Sequence, residues 1–270
     1  MSRSSGNRKS RRRQFAVSHQ KNWLIGRYAV LETLRSGRWP VAELFLEEGA
    51  ETSEALQLAN ERGVRVTETT AERLTELCHA THHQGMAARM GAFPYRSADW
   101  LLSAINDAAA AQGESDSSTP APLVVICDRI QDTHNFGGIL RTCDAVRALA
   151  VVIGHEAQAG VSPQVARSSA GAVNHVPVVA AEDLVAVARQ LADAGVQIVA
   201  ASEKAARSHW EAQLTGPVCL IVGSESSGVR DELLELVGGG LRIPMMGQVG
   251  SLNAAIAASI LLYEIRRQQQ

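Results

Sequence analysis

Three stretches combine polar side chains with glycine and could form a reaction site: Asp128–Gly138 (DRIQDTHNFGG), Gly223–Gly228 (GSESSG) and Pro244–Asn253 (PMMGQVGSLN). Glycine lets a backbone approach a ligand closely. Asn, Ser, Glu and Arg side chains supply the donors and acceptors that orient a polar substrate. Each stretch follows a short apolar run: Leu123–Cys127, Val218–Val222 and Leu241–Ile243. In open parallel sheets, ligands bind at the loops leaving the carboxyl ends of strands. Three such loops at one edge therefore predict a cleft. His134, inside the first loop, is placed to act as an acid or base, to contact a phosphate or to face solvent.

Several common chemistries lack their residues. No Gly-x-Gly-x-x-Gly follows a strand, so the dinucleotide fingerprint is missing, and no Gly-x-x-x-x-Gly-Lys-Ser/Thr phosphate loop occurs. Gly-Ser-Glu-Ser-Ser-Gly is not the Gly-x-Ser-x-Gly of a hydrolase elbow. Cys78, His79, His82 and His83 lie close together. Zinc usually takes four ligands in two pairs; no second pair is nearby, and adjacent His82 and His83 point differently. No metal is predicted, and His82 and His83 are expected at a surface turn beside Gln84-Gly85.

Periodicity gives the scaffold behind these loops. After residue 22, helix signals over Gly26–Ser36, Ser53–Arg62 and Thr70–Cys78 alternate with strand signals over Val41–Leu46, Val64–Val66 and Met86–Met90. Gly37 and Gly63 stop the first two helices, and Thr70 is placed to cap the third. This is a small α/β layer over 22–92. Residues 93–122 read as a connection, with a helix over Ala98–Ala111 and a linker composition in Gln112–Pro122. From Leu123 strands and helices repeat. Strands are predicted over Leu123–Cys127, Ala150–Ile153, Val196–Ala200, Val218–Val222 and Leu241–Ile243. Helices are predicted over Phe136–Arg147, Ala181–Ala194, Arg230–Val237 and Asn253–Arg267. The alternation implies an α/β fold with a doubly wound parallel sheet.

The 270 residues are 46% apolar and 20% charged, enough for a large core in one or two domains. Only 4% are aromatic, which argues against a module built on rows of stacking rings. The net charge of −2 hides an asymmetry: residues 1–31 hold eight basic residues and no acid, leaving 18 basic against 28 acidic residues in the rest. A basic arm over 1–21, read as disordered, would meet a polyanion first; its bland alternative is a solubilising head. The four cysteines form no Cys-x-x-Cys pair, which fits a reducing compartment. No apolar run reaches the ~20 residues of a membrane span. Cytoplasm is expected.

The three loops also carry a resemblance. Asp128–Thr142, Leu220–Gly228 and Ile243–Ala255 resemble, in order, the three motifs of the SpoU/TrmH group of SPOUT RNA 2′-O-ribose methyltransferases. Ser169–Ala172 with Val176-Pro177 fits the group's intermediate segment. Residues 22–92, including His83-Gln84-Gly85, resemble the ribosomal-protein-like RNA-binding domain ahead of the catalytic domain in the 23S ribosomal RNA guanosine-2′-O-methyltransferase type. Asn174 departs from the acidic residue found there in some relatives, so no charge contact is expected of it.

That resemblance implies a 123–270 catalytic domain with a deep trefoil knot, an exception to the unknotted rule, an S-adenosyl-L-methionine pocket in the knot loops, and a homodimer with interfacial active sites. By position, Gly223, Ile243 and Leu252, with Ile221 and Met245 as neighbours, would contact the cofactor. Arg141, Asn135, Glu225, Ser251 and Asn253 would form the reaction site. The implied activity is methylation of a guanosine ribose in large-subunit ribosomal RNA. Transfer RNA methylation, resistance-type adenosine methylation of ribosomal RNA and a non-catalytic assembly factor are the alternatives. An arginine is nearly always protonated, so Arg141 is expected to hold the target phosphate and polarise the hydroxyl rather than act as a free base.

Overall fold

A computed structural model describes residues 22–113 and 120–270; the basic arm 1–21 and the centre of the expected linker lie outside the described residues. The first unit contains β1 (Trp23–Ile25), α1 (Arg27–Ser36), β2 (Val41–Glu47), α2 (Ser53–Glu61), β3 (Val66–Thr69), α3 (Ala71–Cys78) and β4 (Met86–Met90). Its sheet runs β1-β4-β2-β3, with only β2 and β3 parallel. Periodicity gives no sign of β1, because three residues are too few to show an alternation. The strand expected at Val64–Val66 starts later: the Val64 amide donates to Ala59 O at 2.9 Å, closing α2 around left-handed Gly63. Thr70 caps α3 by accepting from Arg73 N at 3.3 Å.

The surface turn expected around His82 and His83 needs correction. His82 is exposed, but His83 is buried. Its ring accepts from Gly85 N at 3.2 Å and meets Thr75 Oγ1 at 3.1 Å, so it holds the turn together from inside.

The second unit contains α4 (Ala98–Gly113), β5 (Leu123–Asp128), α5 (Thr133–Ala145), β6 (Ala150–Ile153), α6 (Pro163–Ser168), β7 (Val178–Ala180), α7 (Leu184–Asp193), β8 (Gln197–Ala200), β9 (Val218–Gly223), α8 (Asp231–Leu236) and α9 (Ala254–Gln268). Its five strands are all parallel, in the order β7-β6-β5-β9-β8. Every residue of β5 and β9 is buried, as a sheet covered on both faces requires. Alternation divides the core. Leu123, Val125, Leu220 and Val222 pack with α5 and α9, whereas Val124, Ile126 and Ile221 pack with α4, α7 and α8.

Two boundaries shift in ways that matter for the site. α5 starts at Thr133 because Asp132 caps it, accepting from His134 N at 2.7 Å. Gly137 and Gly138, expected at the start of a helix over Phe136–Arg147, therefore lie a turn further into it. A Cβ on Gly137 would sit 2.0 Å from Ser168 Oγ, and one on Gly138 3.1 Å from Ala255 Cβ, so these glycines let α6 and α9 pack closely. The strand expected at Leu241–Ile243 is reduced to isolated bridges, Leu241 to Ala201 and Arg242 to Ser208. This segment crosses the end of β8, its amides being used by Ala200 O and Arg207 O.

The units are sewn together by a segment from which the sequence raised no expectation of a contact. Buried Asn174 donates from Nδ2 to Thr33 Oγ1 at 3.1 Å. His175 Nε2 lies 2.8 Å from Glu32 Oε1, and Arg38 donates to His175 O at 2.5 Å. One buried apolar cluster continues across this seam from Leu24 and Leu34 to Val173 and Phe136.

Candidate active site

The second motif is shaped by its backbone. A Cβ on Gly223 would meet the carbonyl carbon of Gly228 and the nitrogen of Val229, both at 2.2 Å. Only glycine lets the loop fold back this closely. Gly228, left-handed at φ 67°, closes the turn by donating from its N to Ser224 O at 2.8 Å. Asp128, at the end of β5 and fully buried, fixes the chain just beyond this turn. It accepts from Arg230 Nε at 2.7 Å and Arg230 N at 2.8 Å, with Arg129 at 3.3 Å. The carboxylate raises the Arg230 pKa through this hydrogen bond. Removing one partner of such a pair strands a buried charge, at about 3–5 kcal/mol.

Three loops converge through amides. Asn135, in the first turn of α5, donates from Nδ2 to Glu225 Oε1, and its Oδ1 accepts from Asn253 Nδ2 at 2.8 Å. Asn253 Oδ1 in turn accepts from Ala255 N at 2.9 Å and Ile256 N at 3.3 Å, capping α9. The helix cap thus orients the amide that orients Asn135. One residue from each of the three motifs is present in this chain of bonds.

A cavity of about 210 Å3 opens beside it, between the loops that leave β8 and β9 and the segment before α9. Gly223, Ile243, Met245, Ser251, Leu252 and Glu225 line it, as do Glu203 and Lys204. Its inner wall is apolar: Val222, Leu241, Ala254, Ala257 and Leu261. Ile221 is the exception among the expected contacts. It is 0% exposed and belongs to the opposite core layer, because strand alternation turns its neighbour Val222 toward the cavity. The Ala201–Lys204 loop was missed, although it leaves the carboxyl end of the strand next to β9 and the strand-end rule could have found it.

Arg141 is exposed on α5, and its guanidinium makes no hydrogen bond or ion pair with the described residues. It sits six residues beyond Asn135, about 9 Å along the helix axis, and is not joined to the amide chain. His134 contacts Gln164 Nε2 through its Nε2 at 3.3 Å and does not line the cavity. Among the described residues no group of three or more His, Cys, Asp or Glu could hold a metal ion.

Comparisons with known proteins agree on one family. Residues 122–263 match the SpoU rRNA Methylase family, and residues 23–96 match the family of RNA 2′-O ribose methyltransferase substrate-binding domains. The 23S rRNA (guanosine-2′-O-)-methyltransferase RlmB of Xanthomonas axonopodis pv. citri is 32% identical over 94% of this chain and 99% of its own. A tRNA/rRNA methyltransferase of Mycolicibacterium vanbaalenii, described as uncharacterized, is 34% identical over 92% of this chain and 76% of its own. Among solved structures, the AdoMet-bound rRNA methyltransferase of Sinorhizobium meliloti superposes with a TM-score of 0.74 at 26% identity, covering 92% of this chain and 87% of that one. With its catalytic layer, its three converging motifs and more than half its length matched, the chain belongs to the SpoU rRNA methylase family.

Proposed function

We propose that this protein is an S-adenosyl-L-methionine-dependent RNA 2′-O-ribose methyltransferase whose target is a guanosine of large-subunit ribosomal RNA. The observation that carries the reading is the amide chain Glu225–Asn135–Asn253, which joins all three motifs and reaches the cavity lining through Glu225. The cavity suits the donor chemically. Ile243, Leu252 and Leu261 offer apolar faces to a flat base, and Glu203 and Glu225 are anionic neighbours for a cationic ligand. Bound there, S-adenosyl-L-methionine supplies an electrophilic sulfonium methyl.

The chain's own residues handle the acceptor. A ribose 2′-hydroxyl must lose its proton as its oxygen attacks. Asn135, pinned at both ends of its amide, and Ser251, exposed on the cavity lining, place the ribose. Arg141 is free to hold the target phosphate bidentately and polarise the hydroxyl, the proton leaving to phosphate or water. Alignment of the reacting atoms supplies much of the rate.

In this reading residues 22–92 hold RNA, 123–270 catalyse and the arm 1–21 adds phosphate contacts, while 93–122 is more than the expected connection, because Leu101 and Ile105 of α4 are buried in the second unit's core. The acting form is a homodimer in the cytoplasm. An exposed apolar stripe on α9, Ile256, Ile260 and Tyr263 at 52%, 37% and 58% exposure, supports the dimer. All four cysteines are free thiols, in keeping with a reducing compartment. A knot is supported by the path of the chain: α8 packs on one face of the sheet and α9 on the other, and the connection between them shares a cavity lining with the loops that leave β8 and β9. The test is ribose-methylation mapping across total RNA from cells with and without the protein. One guanosine of large-subunit RNA gaining the methyl is expected; a site in transfer RNA, or no change anywhere, overturns the assignment.

A further inference from the structure

A second cavity, about 640 Å3, lies between the two units. Trp23, His79 and His82 line it from the first unit, and Gln131, Gln164 and Arg167 from the second. Among the described residues lining it there is no Asp or Glu. This is notable in a chain that carries 28 acidic against 18 basic residues after position 31. A carboxylate-free cleft in an acidic body is complementary to a polyanion.

The cleft is placed for the same reaction. Thr133 lines it, and Thr133 opens α5 two residues before Asn135. Gln164, on the same wall, touches His134 on that same turn. Arg167 is exposed, its carbonyl accepts from Ala170 N at 3.0 Å, and its guanidinium makes no hydrogen bond or ion pair with the described residues, leaving it available to a phosphate. Trp23 is held by a tilted contact with Phe45, ring centroids 5.0 Å apart, so its ring is a fixed stacking platform. Tyr95 anchors the second wall by accepting from Val161 N at 2.7 Å; burial pushes its phenol up to about 12, so it stays neutral. The residue next to the basic arm, Asn22, also lines the cleft.

We infer that this cleft holds the single-stranded nucleotides flanking the methylated ribose, a base stacking on Trp23 and a phosphate bound by Arg167. Single strands with splayed bases are the form in which RNA meets aromatic and guanidinium surfaces. The inference rests on the methyltransferase reading and adds to it where the acceptor strand runs.

The test uses the full chain, a transcript of large-subunit ribosomal RNA and S-adenosyl-L-methionine. Arg167→Glu is expected to raise the KM for RNA about tenfold, with kcat at saturating RNA and the Kd for S-adenosyl-L-methionine within about twofold of wild type. Trp23→Ala is expected to act similarly through lost stacking, and Trp23→Phe to restore most of the affinity. Arg167 is exposed, so its variant keeps the test intact if Trp23→Ala folds poorly. Should the wild type methylate the transcript while Arg167→Glu keeps the wild-type KM, the cleft inference falls and the methyltransferase reading stands. Should the wild type methylate no RNA, the reading beneath it falls as well.

Discussion

The cavity at the ends of β8 and β9 and the cleft between the units present opposite charge. The first has Glu203 and Glu225 on its lining, with one Lys204; the second has no carboxylate and carries Arg167. They also differ in material. The cavity is cut from backbone folded so tightly that Gly223 leaves no room for a Cβ. The cleft is walled by side chains from two units held together at Asn174 and His175. A reaction between a sulfonium donor and a polyanionic acceptor benefits from keeping the two binding surfaces apart and of opposite sign. Mutations should therefore separate donor binding from acceptor binding.

The largest effect is expected at Arg141, which belongs to neither lining. Arg141→Ala should lower single-turnover methyl transfer about 1,000-fold, the upper end for a lost transition-state contact, while calorimetry shows donor affinity unchanged. Equal loss of donor affinity would place Arg141 in the donor site instead. Next comes Gly223→Ala, whose new Cβ meets rigid backbone at 2.2 Å. Donor Kd should rise about 100-fold, equivalent to about 2.7 kcal/mol, with RNA affinity by filter binding little changed; an unchanged donor Kd would detach this loop from the donor site. Asn253→Asp keeps an acceptor for the α9 cap but cannot donate to Asn135. A kcat about tenfold lower with an unaltered Tm is expected, and wild-type kcat would show the amide chain to be structural.

Removing residues 1–21 should weaken RNA binding several-fold and flatten the slope of log K against log salt, since each phosphate contact contributes ~0.9 to that slope on duplex and ~0.7 on single strands. An unchanged slope would confine phosphate binding to the folded units. The smallest effect is expected at Glu264 on α9, whose carboxyl is held down to about 2, mainly by its hydrogen bond to Arg267. A folded pKa below the ordinary value contributes stability above about pH 4.5 that is lost as the pH falls toward 2. Glu264→Gln should lose that part of the acid dependence in melts at pH 3 and pH 6, with neither binding surface affected.

The parallel sheet was legible because fully buried strands such as Leu123–Cys127 and Val218–Val222 read as unbroken apolar runs. The cavity was mostly legible too: Gly223, Ile243, Met245, Ser251 and Leu252 all line it. Ile221 failed because a run apolar at every position hides which residues face which layer. Gly137 and Gly138 read as glycines at a helix start beside a ligand loop, and only the neighbouring α6 and α9 explain them. His83 looked exposed from its polar company, yet Thr75 and Gly85 satisfy both ring nitrogens inside the turn.

Local chemistry in the chain set which loops would react, where most helices stop and which residue types stand ready, because caps, turns and strand runs act over a few neighbours. Packing alone brought Asn253 to Asn135 across 118 positions, joined the two units at Asn174 and His175, and left a carboxylate-free cleft between them. Such juxtapositions depend on how distant elements meet, and no local periodicity records the distance between two segments far apart in the chain.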